Sequence, residues 1–400
     1  MIKMTNILHE ADSISADTVS ARRYLHSHPG AGFDIPEAIA FTASELEKTG
    51  IAAKKCGRGI TALIGDSSRG HTVLLRADMD ALKIREDSGE SFASENGCMH
   101  ACGHDMHTSM LLGAARILKA HESELNGCVK LMFQGGEEIF EGAEDMIDSG
   151  VLEDPKVDAA VMIHVMTAVP IEAGSVIVAP PGVSAPAADI FEITVRGSGT
   201  HGSMPEKGID PILAASHIIC ALCEISAREL SLSDKAALTI GCINAGDAAN
   251  VIPDSAVIKG SLRAFSDETR ELIHRRINEI SSAVAQAFRA SAEVRFTSGC
   301  PTLMNDPNLS KTVHGYMTDL LGDKRAIPAS GMASGSSGSE DFAYVSHKVP
   351  SVMLALAAGD SRKGYEYPLH HPKVRFDESA LSVGAAVYAY TAMRLLKEMG

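Results

Sequence analysis

At 400 residues the chain is longer than one hydrophobic core usually serves, so about two domains are expected. Hydrophobic residues make up 45% and charged residues 22%, a globular balance that excludes disordered, collagen-like and disulfide-scaffold classes. With 36 Lys plus Arg against 51 Asp plus Glu, the formal charge of −15 repels phosphate backbones and argues against nucleic acid as a partner.

The opening MIKMTNILHEADS has no apolar stretch of signal-peptide length. No later window approaches the roughly 20 apolar residues of a membrane span, so a cytoplasmic protein with no membrane partner is expected. Cys56, Cys98, Cys102, Cys128, Cys220, Cys223, Cys242 and Cys300 follow no framework. A reducing compartment would keep them as thiols, most of them in the core.

The apolar runs TALIG (61–65), TVLLRAD (72–78), VKLMFQ (129–134), DAAVMIH (158–164) and SVMLALA (351–357) suit strands buried on both faces. Helical patterns such as Thr108 to Ala120 alternate with them, which is the order of an α/β domain with a mostly parallel sheet flanked by helices. Between the second and third runs, MHACGHDMHT (99–108) crowds His100, Cys102, His104, Asp105 and His107 into ten positions. Residues two apart in loop or extended backbone point the same way, so Cys102 and His104 can meet one ion. A thiolate with an imidazole suits zinc or another borderline divalent metal.

Other acid and imidazole groups fall just past strand ends: RAD (76–78) with Asp80 beyond it, GGEE (135–138), and His164. Ligand sites of open α/β sheets form at that edge. Adjacent side chains diverge, so one of Glu137 and Glu138 can bind metal while the other faces a water and serves as base. The competing reading of the pair is a helix N-terminus, where the dipole favours Glu.

From Asp189 to Ser298 the pattern changes to DIFEITV (189–195), a helix, ALTIGCI (237–243), AVIKGSLRAF (256–265), a second helix and AEVRFTS (292–298). That β-α-β-β-α-β order predicts a ferredoxin-like α+β sandwich inserted into the first domain. Asp210 and Pro211 read as N-cap and first residue of one helix, and Ile273, Ile277, Ile280, Val284 and Phe288 form the apolar stripe of the other. Pro-, Gly- and Ser-rich stretches at 179–189 and 298–308 mark the crossings, giving a catalytic domain of 1–185 and 299–400 around an insert of 186–298. Cys220 and Cys223 lie inside the amphipathic helical pattern with no second pair, so a metal role is set aside. The stretch SGMASGSSGSE (330–340) reads as a surface loop or, because Glu340 and Asp341 follow, an active-site loop. In YPLHHPKVRFDE (367–378), His370 and His371 precede a helix expected to begin near Asp377, and one of them can complete a metal site.

Taken in order, RRYLHSHP (22–29), ADMDAL (77–82), MHACGHDMHT, FQGGEE (133–138), HGSMPEKGIDPI (201–212), NVIPD (250–254), GSEDFAY (338–344) and LHHP (369–372) resemble the metal-dependent aminoacylase and carboxypeptidase family. Within it, the closest branch is the hippurate hydrolase and indole-acetyl-amino-acid hydrolase group. The resemblance implies a two-domain amidohydrolase that cuts N-acyl amino acids into a carboxylic acid and a free amino acid, with the insert as lid or dimerisation domain. It puts two divalent ions (Mn, Zn, Co or Ni) on Cys102, His104, Glu138, His164 and His370, with Cys102 bridging. Glu137 becomes the general base that deprotonates a metal-activated water, and Asp80 steadies the site. Asp78 stands where more distant relatives carry a metal histidine. His201 is placed at the scissile carbonyl, in the partner subunit's site, and Asn250 and Arg263 at the substrate, within a homodimer or homotetramer built through the lid. Three departures stand out: Pro29-Gly30 for the usual Pro-Glu, Lys83 for a proline, and Gly135-Gly136 for Pro-Ala before the glutamates. Two glycines there are expected to loosen the base's loop or open room for an unusual acyl group. The alternatives are a dipeptidase or carboxypeptidase of the same family and a catalytically idle metal-binding protein.

Overall fold

A computed structural model describes residues 5–179, 181–328 and 338–400. Three helices lead the chain: α1 (Thr5–Ser13), α2 (Ser15–Ser27) and α3 (Pro36–Lys48). Strands β1 (Ala53–Cys56), β2 (Gly59–Gly65) and β3 (His71–Asp78) follow, then helix α4 (His104–Ala120), β4 (Gly127–Gln134), α5 (Gly142–Asp148) and β5 (Ala159–Met166). Two short strands, β6 (Val176–Val178) and β7 (Gly182–Ala185), precede the change of pattern.

Next come β8 (Ala187–Arg196), β9 (Thr200–His201), α6 (Pro211–Glu224), β10 (Ala236–Ala245), β11 (Val251–Ile252), β12 (Ser255–Ala264), α7 (Asp267–Ala287) and β13 (Ser291–Cys300). The chain returns through β14 (Leu303–Asn305), α8 (Pro307–Leu321), β15 (Ala326–Pro328), α9 (Ala343–Ser346), β16 (Ser351–Ala357) and α10 (Ala380–Met399).

Two compact units result, one of residues up to Ser184 with those from Met304 onward, the other of Ala185–Leu303 with a short piece ending at Glu340. The first holds an eight-stranded sheet in the order β1-β2-β4-β3-β5-β16-β6-β15. Its centre, β4-β3-β5-β16, is parallel. Buried on both faces, these strands carry Val73, Leu75, Val129, Leu131, Val161, Ile163, Val352 and Leu354 into one core with α4 and α10. The run TALIG does form β2, but it pairs antiparallel with β4. Neighbours β3 and β5 stay in register only from Val73↔Ala159 to Arg76↔Met162, although both strands run further.

In the second unit the sheet order β10-β12-β8-β13 is antiparallel throughout, the ferredoxin-like arrangement. The Asp210 carboxylate caps α6 by accepting the Ile212 and Leu213 N–H groups, with Pro211 at the first position. On α7, Ile273, Ile277 and Ile280 are buried, with Val284 and Phe288 packed at the margin of the same core. By length and composition alone, Pro211–Glu229 passes for a membrane span, against the expectation that no window would. Its Ala214, Ala215, Ile218, Leu222 and Ile225 are buried in the core of this unit, while Ile212, Leu213, Cys220 and Cys223 stay exposed.

All eight cysteines are free; Cys56, Cys102, Cys128 and Cys300 are buried, but Cys220, Cys223 and Cys242 are exposed, so the thiols are less confined to the core than expected. Most of the Gly/Ser stretch at 330–340 lies outside the described residues.

Candidate metal centre

The turn into α4 is made by Gly103 at φ 86°, where a Cβ would stand 2.3 Å from the Val165 side chain, so only glycine fits. That turn puts Cys102 and His104 on either side of the strand ends. His104 Nδ1 donates to the Asp80 carbonyl at 2.8 Å, which aims Nε2 inward. On β5, His164 donates from Nδ1 to the Val165 carbonyl at 2.7 Å, and its Nε2 lies 3.6 Å from the Cys102 sulfur. His370, at φ 65°, is held by its own N–H to the Ala101 carbonyl. Its Nε2 is 3.3 Å from Cys102 Sγ and 3.5 Å from Glu138 Oε1.

Two three-ligand sets therefore share one sulfur. The donor atoms of Cys102, His104 and His164 lie within 4.8 Å of one another, and so do those of Cys102, Glu138 and His370. His104 Nε2 and Glu138 Oε1 are buried without a hydrogen-bond partner, a loss of about 1–3 kcal/mol for each such atom. A thiol, imidazoles and a carboxylate converging with orphaned donor atoms fit divalent cations.

The paired glutamates sit on a turn before α5 rather than in a helix. Asp80 sets them: its Oδ1 accepts the Glu137 N–H at 3.1 Å and its Oδ2 the Glu138 N–H at 3.2 Å. Glu137 is buried, with Oε2 3.8 Å from His104 Nε2. The glycines before them neither loosen the turn nor leave room. Gly136, at φ 75°, donates its N–H to the Gly32 carbonyl at 3.0 Å, and a Cβ on it would meet the Phe33 ring at 2.6 Å. At Gly135 a Cβ would meet Ile35 Cδ1 at 2.5 Å. Aromatic and aliphatic side chains from the segment after Pro29 occupy the volume the missing side chains leave.

Burial dominates the electrostatics. It pushes the Cys102 thiol up to about 12 and the Glu138 carboxyl up to about 7, the latter against His104 and with help from Asp80 and Asp78. It drives His164 down to about 3 and lowers His370 as well, which leaves both imidazoles neutral with a lone pair to offer. His104 is the exception: burial opposes its charge, but Asp78 and the Asp80 contact raise it well above the ordinary range. Burial thus disfavours the ionised forms of Cys102 and Glu138, and a divalent ion bound there would displace protons from them.

Asp78, His104 and His107 also cluster, yet both nitrogens of His107 are engaged, Nδ1 with Asp78 Oδ1 at 2.6 Å and Nε2 with the Val165 N–H at 2.9 Å. Asp78 accepts as well from Arg76 Nη1 at 2.6 Å, so the His107 nitrogens are both taken and the Asp78 carboxylate is shared between His107 and Arg76. His371 stacks on Tyr367 and joins no ligand cluster among the described residues. The His100 ring is fully buried with neither nitrogen hydrogen-bonded.

In the second unit, His201 is exposed on β9, paired with Val251, and its Nδ1 accepts from the Ser203 hydroxyl at 2.8 Å. Asn250 precedes β11, and its carbonyl accepts the Gly202 N–H at 2.8 Å. Arg263, on β12, donates to Ser339.

Sequence reasoning missed Phe33 and Tyr388, and gave no role to His26, which touches Asp105 Oδ2 through Nδ1 at 2.9 Å and Glu86 Oε1 through Nε2 at 3.0 Å. His26 could have been found from RRYLHSHP, where it lies between the arginines and Pro29. No local signal marks Tyr388.

The family profile described as "Peptidase family M20/M25/M40" matches residues 74–394. The chain is 37% identical over 387 residues to the "IAA-amino acid hydrolase ILR1-like 2" of Arabidopsis thaliana, covering 95% of this chain and 85% of that one. It is 35% identical over 388 residues to the "N-acetyl-L-cysteine deacetylase" of Bacillus subtilis, with 96% and 89% covered. Among solved structures, the YXEP protein of Bacillus subtilis, described as a dinuclear metal binding peptidase from the M20 family, superposes with a TM-score of 0.78 at 29% identity. That likeness covers 96% of this chain and 99% of the other.

Proposed function

Because the chain belongs to peptidase family M20/M25/M40, and is thus a metal-dependent hydrolase of amides, we propose that it cleaves N-acyl amino acids to a carboxylic acid and a free amino acid. The observation that carries this reading is the sulfur of Cys102 shared between two ligand sets, beside a buried second glutamate.

Cys102, His104, Glu138, His164 and His370 are assigned as ligands of two divalent ions of the manganese, zinc, cobalt or nickel group. When bound, the ions would supply Lewis acidity toward the scissile carbonyl and acidify water in the site. Glu137 takes the proton of the attacking water and delivers it to the departing nitrogen. Asp80, gripping the backbone N–H groups of both glutamates, keeps base and ligand at a fixed spacing.

Residues 186–298 are assigned as a lid and dimerisation domain between the two stretches of catalytic domain, 1–185 and 299–400. In that role His201 would meet the developing oxyanion, from the partner subunit, while Asn250 and Arg263 contact the substrate. The guanidinium of Arg263 suits a carboxylate by its fork geometry. A homodimer or homotetramer in the cytoplasm fits this scheme; the eight free thiols suit a reducing compartment.

The test is release of free amino acid from N-acetyl, N-benzoyl and indole-acetyl amino acids, alongside dipeptides, by metal-stripped protein with and without added manganese, zinc or cobalt. Metal-restored cleavage of the capped substrates is expected; cleavage of dipeptides alone would move the function to a dipeptidase. Glu137→Gln should lose nearly all turnover and keep both ions, and substantial remaining rate would reject its role as base.

A further inference from the structure

The central sheet opens at the edge that carries the ligands. Strands β4 and β3 stay paired to Asp78↔Gln134, and β5 and β16 to Met166↔Ala357, but the pairing of β3 with β5 stops at Arg76↔Met162. In continued register the next rung would join the Ile163 N–H to the Arg76 carbonyl. The hydroxyl of Tyr388 stands between them instead, accepting from Ile163 N at 2.8 Å and donating to the Arg76 carbonyl at 2.6 Å.

Further along, a rung would join the Val165 N–H to the Asp78 carbonyl. It is replaced by the His107 imidazole, whose Nε2 accepts from Val165 N at 2.9 Å and whose Nδ1 donates to Asp78 Oδ1 at 2.6 Å. The displaced Asp78 carbonyl is satisfied by the Thr108 hydroxyl at 2.7 Å. A backbone N–H can only donate, so Nε2 must be the accepting nitrogen, and the ring is fixed in one tautomer and one orientation. Its far side is anchored through Asp78 to Arg76, itself bound to Gln134 and Asp341. The same ring packs edge-on to His164 at 4.7 Å and stacks on His104 at 5.3 Å.

We propose that Tyr388 and His107 are wedges standing in for two ladder rungs, and that by holding β3 and β5 apart they set the place of His164 and His104 in the metal centre. Both are positioning residues. The Ile163 and Val165 N–H groups and the Arg76 and Asp78 carbonyls along the split are thus satisfied by side chains. Val165 is the point of transmission: its N–H is held by His107 and its carbonyl accepts from Nδ1 of His164. The inference rests on the reading of His104 and His164 as ligands.

The test reads metal affinity and not turnover. Full-length protein is stripped of metal and titrated with Mn²⁺, Zn²⁺ and Co²⁺ by calorimetry, with the thiolate-to-cobalt charge-transfer band recorded for the Co²⁺ form. His107→Phe keeps the ring and loses both nitrogens; one of the two ions should bind roughly 10- to 100-fold more weakly, as for other partners of metal ligands. His107→Gln, able to donate to Asp78 and accept from Val165, should recover part of that loss. Tyr388→Phe should weaken binding less than His107→Phe and shift the cobalt band.

Wild-type affinity and an unchanged band in both His107→Phe and Tyr388→Phe would overturn the proposal. Should His107→Phe fail to fold by circular dichroism, Tyr388→Phe decides by the same criterion. A wild-type chain that binds no ion would instead reject the ligand assignment, and the wedge role with it.

Discussion

Gly136 shows how a residue without a side chain can fix chemistry. Its positive φ and its N–H bond to Gly32 aim Glu137 into the site, while the Phe33 ring fills the space where a Cβ would stand. Gly136→Ala should therefore lower kcat by about tenfold with KM little changed, and cost about 1–2 kcal/mol of stability from the left-handed backbone alone. Phe33→Ala in the same chain should return the steric share but not the backbone share, a coupling that urea unfolding and steady-state kinetics of single and double variants would measure. Full additivity of the two changes would show that the ring does not press on the turn. Cys102, His104, His164 and the glutamate pair were legible as candidates because they stand at strand ends or two apart in one short motif, whereas the choice of His370 over His371 and of Glu138 over Glu137 came only from the resemblance. The filling of Gly135 and Gly136 was not legible, since Phe33 and Ile35 lie a hundred residues upstream and nothing local links them.

Among the elements, α4 carries two of the candidate ligand-motif histidines, and its first turn is clamped by two side chains from α2. Asp105 receives Arg22 Nε and His26 Nδ1 from α2, while Arg22 also reaches Glu378 ahead of α10 and His26 reaches Glu86. Burial opposes a charge on His26, but Asp105 and Glu86 outweigh it and push its pKa up from 6.5 to about 9. Because the folded value is the higher one, the stabilisation is complete below pH 6.5 and is lost as pH rises through about 9. The unfolding free energy of the native chain relative to His26→Asn should thus fall across that window, by on the order of 3 kcal/mol. A pH-independent difference in urea unfolding would show that folding does not raise the His26 pKa. All five apolar runs proved to be strands; in β3, β4 and β5 burial on both faces leaves a near-continuous apolar signature, while β2 keeps its run although Leu63 is exposed. The three-residue strands β6 and β15 are too short to leave one, and the gap between β3 and β5 depends on Tyr388, hundreds of residues from either.

At the scale of the whole molecule, the second unit presents β10 as an edge strand ten residues long, with Ile243 exposed on it and Ile212 and Leu213 exposed on α6. Long unprotected edges invite pairing with another chain. If assembly proceeds through this edge, the native chain should sediment as a dimer or tetramer, and Ile243→Lys should shift it to a smaller species by light scattering. An unchanged mass for the variant would move the interface elsewhere. Finally, the hydroxyl that separates β3 from β5 belongs to α10, and His370 is supplied just before that helix, whereas Cys102, His104 and His107 come from the first third of the chain. On the proposed ligand assignment the centre draws together stretches far apart in the sequence: a copy that stops short of His370 should lack a ligand, and one that keeps His370 but lacks α10 should lack the hydroxyl between β3 and β5 and bind metal more weakly.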